Sequence, residues 1–125
     1  MNQSTNLILE IVTELCNKYP VKYTCGISYF YNSGDLNQLW YLDRKKYCYL
    51  LFEGHDCVYC GISKLIRHRI LSHRKDKIFD GIVLLEFVDS LYWRKSEKII
   101  IKTLMPIYNN LHNPNKLTKE IEKIK

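Results

Sequence analysis

The chain has 125 residues, a formal net charge of +6 and 46% hydrophobic residues. That length suits one domain, or one domain with an extension, and that apolar content excludes a disordered chain. The charge favours an anionic partner, nucleic acid first. No apolar run approaches the roughly 18 residues of a membrane helix. Met1-Asn2-Gln3-Ser4 lacks the basic start of a secretory signal. An intracellular protein, cytoplasmic or nucleoid-associated, is therefore expected. Five cysteines (Cys16, Cys25, Cys48, Cys57 and Cys60) fit a reducing compartment.

Leu7, Ile8, Ile11, Val12 and Leu15 recur at helical spacing and predict a first helix over 7–19, capped by Ser4 or Thr5 and ended by Pro20. Residues 22–31, rich in aromatic and β-branched side chains, read as a strand. Asn32-Ser33-Gly34-Asp35 is a turn signal, and 36–42 reads as the returning strand of a hairpin. After the polar break Asp43-Arg44-Lys45-Lys46, a strand is predicted over 47–52. A tight turn at Glu53-Gly54-His55-Asp56 leads to a partner strand over 57–60, ended by Gly61. Ser63 is placed to cap a helix over 64–75. The almost continuously apolar run 82–88 predicts a central strand. Ser90 is placed to cap a helix over 91–105, stopped by Pro106, and 116–125 reads as a charged surface helix.

The order β-β-α-β-α from Tyr47 predicts an α+β fold, a small mixed or antiparallel sheet flanked by helices. Residues 1–46 would add a helix-and-hairpin extension to the same body, 47–115 would form the core, and 116–125 a helical tail.

Polar residues fall among the apolar ones of two helices. With Leu65 at 0° and about 100° per residue, Ile66 and Ile70 fall at about 100° and 140°, while Arg69 and His73 fall at about 40° and 80°. Both polar side chains thus lie inside the apolar stripe. In the next helix Glu97 is flanked by Trp93, Ile100 and Ile101 at helical spacing. An inward carboxylate is costly without a cation or metal beside it. A buried Arg69–Glu97 ion pair with a core histidine is the bland account. An arginine, a histidine and a carboxylate facing one region with Tyr49 and Tyr59 also suit a phosphate and its metal.

Taken in order, Tyr47-Cys48-Tyr49, Tyr59-Cys60-Gly61, Arg69 with His73 four residues on, a helical Glu97, and Asn109 after Pro106-Ile107-Tyr108 resemble the motif set of the GIY-YIG nucleases. The family's first motif, Gly-Ile-Tyr, lies on one strand and Tyr-Ile-Gly on the next. Here Tyr47 stands in place of the first glycine, and cysteines stand at both middle isoleucines. The resemblance implies a GIY-YIG-like α/β sandwich and a metal-dependent endonuclease acting on DNA, of restriction, phage or mobile-element type. A homodimer would bring two sites to two strands.

The chemistry implied follows residue type. Glu97 would bind one Mg²⁺ or Mn²⁺ through oxygen. Arg69 would hold the non-bridging phosphate oxygens. Tyr49 or Tyr59 would take a proton from the attacking water, with a cation favouring a phenolate whose ordinary pKa is about 10. His73 would relay a proton or orient a tyrosine, and Asn109 would position the glutamate or a backbone phosphate. Arg67, His68, Arg74, Lys75 and Lys77 form the best basic patch for phosphate contact. A rival reading is an inactive nucleic-acid-binding or assembly module on the same fold. Cys57 and Cys60 have the spacing of a zinc or redox pair, but strand alternation places residues three apart on opposite faces, which argues against a joint site.

Overall fold

A computed structural model describes residues 3–31 and 44–109. Helix α1 (Gln3–Leu15) leads through a 3₁₀ turn at Val21–Tyr23 to β1 (Gly26–Phe30). Then follow β2 (Lys46–Glu53), β3 (Asp56–Ser63), α2 (Ile66–His73), β4 (Gly81–Phe87) and α3 (Ser90–Leu104). The strands form one antiparallel sheet in the order β1-β4-β2-β3. The fold is thus α+β, and the β-β-α-β-α order from β2 onward is present. β1 pairs with β4, Gly26 opposite Glu86 and Phe30 opposite Ile82, so the N-terminal segment shares the sheet. Its expected hairpin turn at 32–35, the returning strand over 36–42 and the tail helix over 116–125 lie outside the described residues.

Strand alternation divides the core between two sheet faces. Cys48, Leu50, Phe52, Cys60, Val83 and Leu85 pack with Ile8, Val12 and Leu15 of α1 and with Trp93, Ile100 and Ile101 of α3. Tyr47, Tyr49, Leu51, Ile82 and Leu84 pack on the other side with Ile66 and Ile70 of α2 and with Phe79. Coverage of both faces is why β2 and β4 are buried almost throughout. Each large apolar side chain taken out of water there contributes about 1.5–3 kcal/mol. Trp93 also pins α3 to the sheet, its indole Nε1 donating to the carbonyl of Tyr47 at 2.8 Å.

Several boundaries differ from those expected. α1 ends at Leu15, well before Pro20. Gly61 does not end β3: Tyr47 pairs with Ser63 and holds the strand in the ladder. α2 starts at Ile66 rather than at 64, because Leu65 is a non-helical N-cap and Ser63 Oγ accepts from the Leu65 amide at 2.9 Å. α3 is capped by Asp89, not Ser90; the Asp89 carboxylate accepts from the amides of Leu91 and Tyr92 at 2.8 and 3.2 Å. Among the described residues no helix is long and apolar enough to cross a membrane.

Candidate active site

The β2–β3 hairpin is the platform of the site. Its turn is short, with Gly54 at φ +63°, a conformation favoured by glycine. Tyr49 pairs with Gly61 and Leu51 with Tyr59, so the two tyrosine rings project diagonally from one sheet face. Their centroids are 5.9 Å apart. α2 crosses that face and brings in His73, whose ring lies 4.4 Å from Tyr59 and 5.6 Å from Tyr49. Its Nε2 is 2.7 Å from the hydroxyl of Tyr49.

Gly61 forms the floor. A β-carbon there would lie 2.7 Å from Tyr49 Oη, 2.8 Å from Tyr49 Cζ and 3.0 Å from Tyr59 Cε1. The glycine of Tyr59-Cys60-Gly61 is therefore required by the ring lying over it.

Electrostatics distinguish the two phenols. Tyr49 is fully buried, and burial holds its pKa far above the ordinary value of 10.0, with Tyr59 adding to the rise and Arg69 opposing it. Tyr59 is half-buried. Burial raises it too, but a hydrogen bond from Tyr49 and the Arg69 guanidinium pull it down, while Glu97 pushes it up. His73 is lowered to about 4 by burial, then by the positive charges of Lys77 and Arg69, with Asp76 opposing. At neutral pH its imidazole is uncharged.

Arg69 is exposed at the rim rather than enclosed in an apolar stripe. Leu65, used as the origin of that stripe, is 55% exposed and outside the helix; the buried line of α2 is Ile66–Ile70, continued by half-buried His73. The charge of Arg69 still reaches Tyr49, Tyr59 and His73. A cleft of about 260 Å³ lined by Ser63, Leu65, His68 and Arg69 opens beside it.

α2 and α3 do not cover the same sheet face. α3 packs on the opposite one, so Glu97 approaches Tyr59 from the far side of the edge strand β3. It is half-buried, and its carboxylate acts on Tyr59 and Cys60. The residue at the centre of the buried stripe of α3 is Ser96, between Trp93 and Ile100. Its Oγ has no hydrogen-bond partner among the described residues.

Asn109 is engaged elsewhere than expected. Its Oδ1 accepts from the Cys60 amide at 2.8 Å and its Nδ2 donates to the Cys60 carbonyl at 2.7 Å. The Tyr108 amide donates to the Val58 carbonyl at 2.9 Å. Asn109 is thus a strap on the free edge of β3, and it orients neither Glu97 nor a phosphate by those bonds.

The basic patch also separates. His68, Arg74 and Lys75 are exposed and Arg67 is half-buried. Arg74 lies over the ring of Phe79 at 5.3 Å. Lys77, expected in the phosphate-contact patch, has a side chain only 13% exposed. Its Nζ sits 5.0 Å over the Tyr59 ring and 5.6 Å over Tyr108, with Asp76 at 3.2 Å. Nothing in helical or strand periodicity marks it, because it lies in the turn after α2.

A bulge overturns the argument about Cys57 and Cys60. The register shifts between Leu51 and Phe52, which pair with Tyr59 and Cys57, leaving Val58 as the extra residue. Cys57 and Cys60 therefore both pack into the core under α3, where Cys60 Sγ lies 3.6 Å from Cys48 Sγ. All five cysteines are free thiols, and burial raises the pKa of Cys57 and Cys60. Among the described residues no group of three His, Cys, Asp or Glu side chains is arranged to hold a metal. Compared with protein-family models, with curated proteins and with solved structures, the chain gives no match.

Proposed function

We propose that this protein is a metal-dependent endonuclease of GIY-YIG type that hydrolyses DNA phosphodiester bonds. The observation that carries the reading is the hydroxyl–imidazole contact of Tyr49 and His73 at 2.7 Å, with Tyr59 packed against both rings over Gly61. Core tyrosines need only bury their rings. Two phenols and a neutral imidazole aligned within reach of an arginine and a carboxylate offer a path for a proton.

Tyr59 is the phenol nearer to solvent, so it meets the attacking water. As the phenolate, which Arg69, the Tyr49 hydroxyl and a bound cation would favour, it takes the water proton. Uncharged His73 holds the Tyr49 hydroxyl in place through the contact at 2.7 Å. Arg69, at the rim beside the cleft, binds the non-bridging oxygens and offsets the charge that builds on the phosphoryl group. Lys77 adds a second cation behind Tyr59. Glu97 would hold the Mg²⁺ or Mn²⁺ ion. A single carboxylate beside a phenol fits a hard cation that keeps most of its water, and such an ion, when bound, polarises the phosphoryl oxygen and favours departure of the 3′ oxygen.

The test is nicking of supercoiled plasmid by the full chain with Mg²⁺. Cleavage that disappears with chelator and in Glu97→Gln, while DNA binding by Glu97→Gln persists, is the expected result. A wild-type protein that binds DNA and never nicks it would replace this reading with that of a binding module.

A further inference from the structure

Away from the tyrosine–histidine face, a second aromatic group is exposed. Tyr19 and Tyr23, at the end of the α1 connection and in the 3₁₀ turn, are 51% and 45% exposed. Tyr23 stacks on Tyr92 of α3 with centroids 4.1 Å apart and planes at 15°. Tyr19 stands edge-on to both at 5.9 Å. Lys22 Nζ lies 5.3 Å from the Tyr23 ring, and Lys95 Nζ lies 5.7 Å from the Tyr19 ring and 3.4 Å from its hydroxyl. Because Tyr92 covers one face of Tyr23, Tyr19 is the ring turned to the adjoining cleft. That cleft, of about 200 Å³, is bounded by Tyr19, Pro20, Lys95, Lys98 and Ile99. It has room for one planar ring system.

A second observation comes from α3. Its exposed side carries Arg94, Lys95, Lys98 and Lys102. Asp89, the acid next to Tyr92, is occupied by the helix cap. A cationic ridge therefore runs along the helix that bears Glu97 and ends at the tyrosine cluster. Alternating ammonium groups and aromatic faces complement a chain of phosphates with planar bases. An acidic peptide would use the charges but not the rings.

We infer that the α3 ridge and the Tyr19 cleft form a track for single-stranded nucleic acid, the ridge holding phosphates and Tyr19 stacking one unpaired base. The inference rests on the nuclease reading in that the track would guide the strand flanking the cleaved bond, though its test is binding rather than cleavage.

A short fluorescein-labelled single strand and the corresponding duplex are titrated against the full chain at several salt concentrations. Lys95→Gln/Lys98→Gln should weaken single-strand binding about tenfold and make the salt slope shallower by about 1.4. Tyr19→Leu should weaken it about fivefold or more with an unchanged salt slope, affect duplex less, and be rescued by Tyr19→Phe. Thermal melts confirm that the variants fold. Wild-type affinity in both the charge variant and Tyr19→Leu, or displacement of the strand by polyglutamate at equal charge, would overturn the track. A wild type that binds the strand through these residues but fails to nick plasmid leaves the track standing and removes the nuclease.

Discussion

At Tyr59 several influences meet, among them burial, the Tyr49 hydroxyl, Glu97 and Arg69. A phenol so placed has a balance that each neighbour can tip. Tyr59→Phe keeps the ring packed against His73 and removes only the oxygen. Nicking should fall by on the order of 10²-fold or more, while the melting temperature stays near that of wild type. Tyr49→Phe breaks the buried contact to His73 and should cost both rate and stability. An active Tyr59→Phe would transfer the first proton acceptance to another group. His73 gives a pH signature with a definite sign. Its folded pKa, about 4, lies below the ordinary 6.5. Its contribution to stability is therefore full above about pH 6.5 and is lost as pH falls toward 4. The loss is on the order of 1 kcal/mol once solvent screening of a half-exposed ring is allowed for. Urea melts of wild type and His73→Gln across that window should differ in slope, the variant being flatter. Equal slopes would mean that folding leaves His73 unperturbed. Residue type and order single out Tyr49, Tyr59 and His73, which do meet on one face, whereas helical phase misplaces Arg69, which is exposed, and Glu97, which leaves the centre of the buried stripe of α3 to Ser96. The burial of Lys77 could not be read there, because it depends on Tyr59 and Tyr108 arriving from two other parts of the chain.

Elements were legible where local patterning is strong. The run 82–88 gave β4 to within a residue at each end, and 47–52 lies wholly within β2. Caps and strand ends were less so. Asp89 and Ser90 are both good cap residues, and only the carboxylate's reach to Leu91 and Tyr92 selects between them. The bulge at Val58 has no sequence mark at all. It arises from pairing with β2, and it reverses which face Cys57 occupies. The placement of α3 on the sheet face opposite α2 follows from Trp93, Ile100 and Ile101 packing with Cys48 and Cys60, a tertiary choice that amphipathic pattern leaves open. Within the hairpin, Gly61 is the most sensitive position. Gly61→Ala must displace the Tyr49 hydroxyl or the Tyr59 ring, because backbone carries the new carbon to 2.7 Å from one and 3.0 Å from the other. Misplacement on the scale of 1 Å can cost about 10²-fold in rate. The expected outcome is a folded protein, by circular dichroism, with nicking reduced to that extent. Near wild-type activity would show that the tyrosine pair tolerates being moved.

For the molecule as a whole, the edges of the sheet decide what can approach it. Among the described residues β1 and β3 are the outer strands, and an open strand edge invites pairing with another chain. Asn109 supplies β3 with a surrogate partner, one side chain satisfying both the amide and the carbonyl of Cys60. Asn109→Ala leaves those two buried groups unpaired and should cost about 2 kcal/mol. Hydrogen exchange should report the change at the Cys60 amide first, and unchanged protection there would mean that another group takes the place of Asn109. The same strap governs assembly. Any two-fold partnership that brought two active sites to two DNA strands by zipping β3 against its own copy would first have to peel Tyr108 and Asn109 from Val58 and Cys60. That seam, already sewn at Val58 and Cys60 by the protein's own chain, leaves no open ladder there for a second copy to zip onto.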